Sequence, residues 1–209
     1  MGIYDERILP RFIDIALRGP ATSALRAEAL TSAKGRVLEV GFGTGLSARH
    51  YPPSGVEQLV VIDSNPGMTR LAAARLASAG RSAEHAVLSG ERLPFSDRSF
   101  DTVVVQFTLC SIPDVSGALL EMRRVLKPDG RLLYLEHGLA DDENIRRWQQ
   151  RLTPLWSPFT GGCHLNRDTT ALLEAAGFGI IAERRARLQR MPAVVGSCKV
   201  GVASPVVAA

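Results

Sequence analysis

Short runs of Val, Leu and Ile recur along the chain, separated by longer stretches in which Ala, Leu and Met fall at helical spacing. Six runs read as strands: Arg36–Val40, about Gln58–Asp63, about Glu84–Leu88, Thr102–Phe107, Arg131–Leu135 and Phe178–Arg187, and a further run covers about Ala193–Ala203. Thr102–Phe107 is apolar almost throughout, the pattern of a central strand covered on both faces. Helices are predicted over Met68–Ala79 and Val115–Leu126, with a short one from Leu46 that must end before Tyr51-Pro52-Pro53. Asn65 and Pro66 form a helix start, a side-chain cap followed by proline in the first turn. Lys127-Pro128-Asp129-Gly130 reads as a turn. Residues 1–34 read as a helical lead broken at Gly19-Pro20, with Ile8, Phe12, Ile13 and Ile15 as an apolar stripe, and the tail Ser204–Ala209 is expected to fray. Strand alternating with helix, without an internal repeat, predicts an α/β fold: a doubly wound, mostly parallel sheet.

The first strand runs into a loop, RVLEVGFGTG, with glycines at positions 41, 43 and 45. Glycines there permit positive φ and let a ligand lie against the main chain. Glu39 stands two residues before the first glycine, and Asp63 ends the second strand, about where an acid holds a ribose diol in an α/β nucleotide site. A dinucleotide fingerprint would need a small residue at position 46. That position is Leu46, which counts against a nicotinamide enzyme.

The form E-V-G-F-G-T-G resembles motif I of the class I S-adenosylmethionine-dependent methyltransferases, and the loop from Glu91 through Leu93-Pro94-Phe95 to Ser99-Phe100-Asp101 is similar to a stretch of the same enzymes. The resemblance implies a seven-stranded Rossmann-like sheet with one antiparallel strand near the C-terminus. It implies S-adenosyl-L-methionine as cofactor, held by Glu39, Gly41, Gly43, Gly45, Asp63, Ser64, Gly90, Glu91, Gln106 and Cys110. Where the family usually has an adenine-binding Asp, this chain has Ser89, so Gly90 or Glu91 is expected to take over that contact.

The region after the fifth strand, about residues 138–176, is expected to build the acceptor pocket. Leu109-Cys110-Ser111, Glu136-His137, Trp148-Gln149, Pro154, Trp156 and Gly162-Cys163-His164-Leu165-Asn166-Arg167 resemble the alkyl thiol S-methyltransferases of animals, also called methyltransferase-like protein seven, and their bacterial relatives. That likeness implies a small-molecule acceptor, a thiol or sulfide first. A quinone, a phenol or a lipid amine is the alternative acceptor, and a non-catalytic nucleotide-binding module the alternative role. Methyl transfer from a sulfonium needs alignment and a free lone pair on the nucleophile, so a modest base suffices for a thiol. His137, His164 and Cys163 are the catalytic candidates. Cys110, Cys163, His137 and His164 have no compact zinc spacing, so no metal is expected. Trp148 and Trp156 are read as core residues or as a pocket wall.

Composition narrows the rest. At 209 residues the chain suits one domain from residue 35 on, with residues 1–34 as a possible lid. Net charge is +4, yet 22 of the 25 basic residues are Arg and aromatics do not interleave with them, so no nucleic-acid partner is expected. No run of 18 apolar residues occurs, so no transmembrane segment is expected. The animal relatives carry an N-terminal membrane anchor; none is expected here, although the N-terminal helices leave peripheral membrane contact open. Three dispersed cysteines make no disulfide framework, and a cytoplasmic location is expected. Oligomeric state is not legible.

Overall fold

A computed structural model describes residues 2–189 and 191–206. After a π-helical turn at Tyr4–Ile8, two helices, α1 (Leu9–Leu17) and α2 (Pro20–Ala29), precede the sheet. Then follow β1 (Gly35–Val40), β2 (Val56–Asp63), α3 (Pro66–Ser78), β3 (Glu84–Val87), β4 (Phe100–Gln106), α4 (Val115–Val125), β5 (Leu126–His137), α5 (Glu143–Trp156), α6 (Thr169–Ala175), β6 (Phe178–Arg187), α7 (Ala193–Gly196) and β7 (Ser197–Pro205). The seven strands lie in the order β3-β2-β1-β4-β5-β7-β6, all parallel except β7, which runs antiparallel to both its neighbours. Strand order reverses between β1 and β4, and the crevice at such a switch point is where open α/β sheets bind ligands.

The period-2 alternation of the strands sorts the core. Leu38, Val40, Val103, Val105 and Leu132 pack with Leu119 and Met122 of α4 on one face. Val37, Val61, Val104 and Leu133 pack with Leu30, Ala72 and Leu76 on the other. Val103, Val104 and Val105 are fully buried, which stabilises the fold by about 1.5–3 kcal/mol per side chain.

Several expectations shift in detail. The helix expected from Leu46 is one 3-10 turn, Ala48–His50, because Gly45 and Phe42 close a tight loop and Pro52-Pro53 follow at once. Lys127–Gly130 falls inside β5, as an irregularity: Phe100 pairs with Leu126 and Thr102 with Arg131, so the expected turn bulges out between two paired residues. The run from Ala193 starts with the helical turn α7 and becomes strand only at Ser197. Pro154 lies inside α5, which continues to Trp156. Ser204 and Pro205 belong to β7 rather than to a frayed tail, and residues 207–209 lie outside the described residues, as does Arg190. No helix among the described residues is long and apolar enough to cross a membrane.

The expected N-terminal stripe is divided. Ile8, Phe12 and Ile15 point to solvent, whereas Leu9, Ile13 and Leu17 line a cavity in the body of the protein. Hydrogen bonds fasten this segment across the sheet edge. The Tyr4 hydroxyl donates to the Phe159 carbonyl (2.6 Å), the Asn65 side-chain amide donates to the Asp5 carbonyl (2.8 Å), and the Thr44 hydroxyl donates to Asp14 Oδ1 (2.7 Å).

Candidate active site

The carboxyl ends of β1, β2 and β4 open into a cleft of about 420 Å3, within the range of small-molecule sites. Its floor is the glycine loop. Gly43 has φ +59°, and a Cβ there would meet nothing nearer than the Gly41 carbonyl at 4.0 Å, so the loop presents bare backbone to the cavity. Gly41 is needed for a different reason: a Cβ would stand 2.2 Å from the Thr108 side chain.

Asp63 locks the loop to β2. Its Oδ2 accepts the Gly43 N–H and its Oδ1 the Asn65 N–H, each at 2.8 Å. Burial raises its pKa, and these two backbone donors oppose that rise. Each oxygen keeps a lone pair for a further donor, which suits a ribose diol.

Gln106 ends β4 and points into the cleft, where its Oε1 accepts from Arg26 Nη1 at 2.7 Å. Arg26 comes from α2 and was not among the residues expected from sequence. It is buried, stacks 5.1 Å from the Phe107 ring centroid, and lines the cleft. Burial lowers its pKa to about 10, which still leaves it charged at neutral pH. Arg26 Nε and Gln106 Nε2 are buried without a protein partner. A cation on the wall of the cleft fits an anionic, hydrogen-bonding ligand group. The available signal was a lone arginine beside Leu25 and Ala29, inside an Ala/Leu-rich stretch whose other charges face out.

Phe107 itself has φ +55°, a conformation costly for an aromatic residue. The turn is held by Glu136, whose carboxylate accepts the N–H groups of Thr108 (2.8 Å) and Leu109 (3.1 Å). Burial pushes the Glu136 carboxyl up to about 7, against those backbone bonds.

Of the cofactor residues expected from sequence, Gly41, Gly43, Asp63, Ser64, Gly90 and Gln106 line the cleft, and Ser89 lines it too. Glu39, Gly45, Glu91 and Cys110 stand off it. Glu39 shares the face of Val37, pointing away from the cleft, and accepts the hydroxyls of Tyr51 (2.6 Å) and Ser47 (2.8 Å). Burial raises its pKa to about 7. Gly45 gives room for Ala72 of α3, 3.0 Å from an ideal Cβ. Glu91 spends its carboxylate on the Asp114 N–H (2.8 Å) and the Ser89 hydroxyl (3.2 Å).

The catalytic candidates separate. His137 and Cys163 are buried against each other, with Nε2 3.0 Å from Sγ, and Cys110 lies beside them. Contact with Cys110 and burial hold the Cys163 thiol well above its usual pKa. This trio sits behind the cleft wall, with His137 stacked on Phe107. His164 instead lines an adjoining groove with Thr153, Ser157 and Gly162, and that groove shares Asp5 and Gly161 with the cleft. Its Nδ1 contacts the Gly162 carbonyl at 2.7 Å; since a carbonyl only accepts, the tautomer that fits carries its proton on Nδ1. Trp148 is exposed and stacks with Arg151, so it forms neither core nor pocket wall, whereas Trp156 packs on the cluster of Cys110, Cys163 and Leu165.

Residues 38–134 match the methyltransferase-domain family. The chain is 34% identical to the thiol S-methyltransferase TMT1A of Homo sapiens over 160 residues, 75% of this chain and 65% of that protein. It is 43% identical to the ubiquinone/menaquinone biosynthesis C-methyltransferase UbiE of Bordetella avium over 105 residues, 48% of this chain and 40% of that one. It thus spans under two thirds of the length of these curated relatives. The N-methyltransferase NodS of Bradyrhizobium japonicum, solved with S-adenosyl-L-homocysteine, superposes with a TM-score of 0.66 over 90% of this chain and 88% of that one, at 18% identity. Residues 38–134 are therefore a methyltransferase domain, set in the fold of the class I S-adenosylmethionine-dependent enzymes.

Proposed function

We propose that the protein transfers a methyl group from S-adenosyl-L-methionine to the sulfur of a small thiol or sulfide. The observation that carries the first half is the pairing, in one cleft, of the bare Gly43 backbone and Asp63 with the Arg26–Gln106 pair. Asp63 takes the ribose hydroxyls, Ser89 and Gly90 flank the adenine, and Arg26 takes the methionyl carboxylate. The cofactor supplies an already activated methyl on a sulfonium. The protein's part is then to orient the acceptor, exclude water and leave the acceptor a free lone pair.

The acceptor reading rests on the thiol S-methyltransferase match, which covers 75% of this chain against 48% for the C-methyltransferase match. The groove that meets the cleft at Asp5 and Gly161 is the acceptor's approach, and His164 Nε2 is the base that takes the thiol proton as the new C–S bond forms. Leu9, Ile13 and Leu17 cover the cleft as a lid. On the outside of the same N-terminal segment Ile8, Phe12 and Ile15 are exposed beside Arg7, Arg11 and Arg18, an arrangement suited to resting on an anionic membrane surface.

The test is release of S-adenosylhomocysteine against a panel of hydrogen sulfide, methanethiol, an aliphatic thiol, a phenol and a quinol. Turnover confined to the sulfur acceptors supports the reading. Turnover with the phenol or quinol alone overturns the acceptor while keeping the cofactor.

A further inference from the structure

Cys110, His137 and Cys163 come from three separate segments: the loop after β4, the last residue of β5, and the loop after α5. Their Sγ, imidazole nitrogen and Sγ all lie within 4.8 Å of one another, and all three residues are buried. Bonds outside the trio's own side chains hold the Cys110 and Cys163 segments together. The His164 N–H donates to the Cys110 carbonyl at 2.8 Å, and Arg167 donates to the carbonyls of Leu109 and Ile112 on either side of that cysteine. Around the trio stand Leu152, Trp156, Leu165 and Val195. His164, by contrast, is turned to the groove and takes no part.

We propose that Cys110 Sγ, Cys163 Sγ and His137 Nε2 bind a thiophilic divalent cation of the zinc class. Tetrahedral zinc, with bonds of about 2.3 Å to sulfur and 2.0–2.1 Å to nitrogen, spaces such ligand atoms roughly 3.5–3.8 Å apart. Small side-chain rotations reach that spacing from the observed one. A disulfide between the two cysteines would leave the imidazole, set 3.0 Å from Cys163 Sγ, with no role. A cation uses all three donors. On binding, each thiol releases its proton to solvent, and neutral His137 donates the Nε2 lone pair with its proton on Nδ1. Two thiolates then balance the dication, so the buried site carries no net charge. Three protein ligands leave one tetrahedral position open. Ser111 links the site to the cleft, its hydroxyl 3.4 Å from Cys110 Sγ and its residue on the cleft wall. The cation fastens the α5 loop to the ends of β4 and β5, directly behind Phe107. The site is independent of the acceptor's identity.

The experiment is a Co2+ titration of the untagged, metal-stripped full chain under reducing conditions, read by absorption, with Zn2+ competition. Expected are thiolate-to-cobalt charge-transfer bands and intense tetrahedral d–d bands that saturate at one equivalent and are displaced by Zn2+. Cys110→Ser and Cys163→Ser should each weaken binding on the order of 100-fold or more, and Cys198→Ser should not. Should either variant fail to fold, alkylation of the wild type gives an independent reading: Zn2+ should protect Cys110 and Cys163, located by mass spectrometry. Absence of the cobalt–thiolate bands in folded wild type, or cysteines alkylated equally with and without Zn2+, overturns the site. So does a Cys110–Cys163 disulfide formed on mild oxidation by a chain that takes up no cation when reduced.

Discussion

Asp14 of α1 and Arg75 of α3 form a salt bridge of 2.6 Å directly over the glycine loop. Arg75 also donates to the Thr44 carbonyl at 2.7 Å, and the Thr44 hydroxyl donates to Asp14, so three segments close on one another at the cleft's edge. Asp14→Ala removes a charged acceptor from both donors. The expected cost is about 1.5–3 kcal/mol in urea denaturation, together with faster cofactor dissociation. Burial by itself would raise the Asp14 pKa, but the bonds from Arg75 and Thr44 outweigh it and the net shift is downward. The latch is therefore present above the ordinary aspartate pKa, and is lost only as pH falls through the lower folded value. Unchanged cofactor dissociation in Asp14→Ala would remove α1 from any lid role.

Gly43 separates backbone strain from cavity blockage. Ala at this position finds open space but must adopt φ +59°, at about 1–2 kcal/mol. Val adds β-branching and fills the cavity floor. Calorimetry with S-adenosylhomocysteine should show a modest loss for Gly43→Ala and near-abolition for Gly43→Val. Equal affinity in all three proteins would place the cofactor elsewhere.

Asp63→Ala frees the Gly43 N–H and removes the ribose acceptor at the same time. Loss of one charge-assisted hydrogen bond corresponds to about 10- to 100-fold in affinity. Asp63→Asn keeps one acceptor oxygen and should fall between the two. An Asp63→Ala protein with wild-type affinity contradicts the proposed ribose contact.

Glu39 makes stability depend on pH. Its folded pKa is about 7, above the usual glutamate value, so between those two values the folded chain holds a proton that the unfolded chain has released. Stability therefore declines as pH rises from about 4.5 to about 7, and levels off above. Glu136 acts in the same direction. Glu39→Gln should flatten part of this slope in denaturation midpoints measured from pH 5 to 8; an unaltered slope means that Glu39 is ionised throughout.

His164→Ala should lower kcat on the order of 100-fold for thiols that are mostly protonated at the assay pH, without changing cofactor affinity. Acceptors already ionised should be spared, since they need no base. A uniform loss across acceptors would point to positioning, and no loss would exclude proton transfer by His164.

Element type was legible because it follows from local rules. Val-rich runs, Asn65-Pro66 as a cap and first turn, and glycines at alternate positions constrain backbone conformation within a few residues, and their order along the chain sets a parallel sheet. Gly43 and Asp63 were legible for the same reason: the carboxyl ends of two parallel neighbours, β1 and β2, fall at one sheet edge whatever packs around them. Glu39 stands off the cleft because side-chain alternation aims it at Tyr51 on the opposite face, and a motif read by spacing does not register facing. Arg26 left only its place on an apolar helix face as a signal, because nothing local ties α2 to the end of β4, eighty residues on. The same holds for Cys110, His137 and Cys163, whose spacings match no compact motif although the fold sets them side by side. Sequence by itself determined the elements, their order and the floor of the cleft, since short-range conformational preference specifies those. Only tertiary structure decided what closes the cleft and what stands behind its wall, because those contacts join residues whose separation along the chain carries no information about their distance in space.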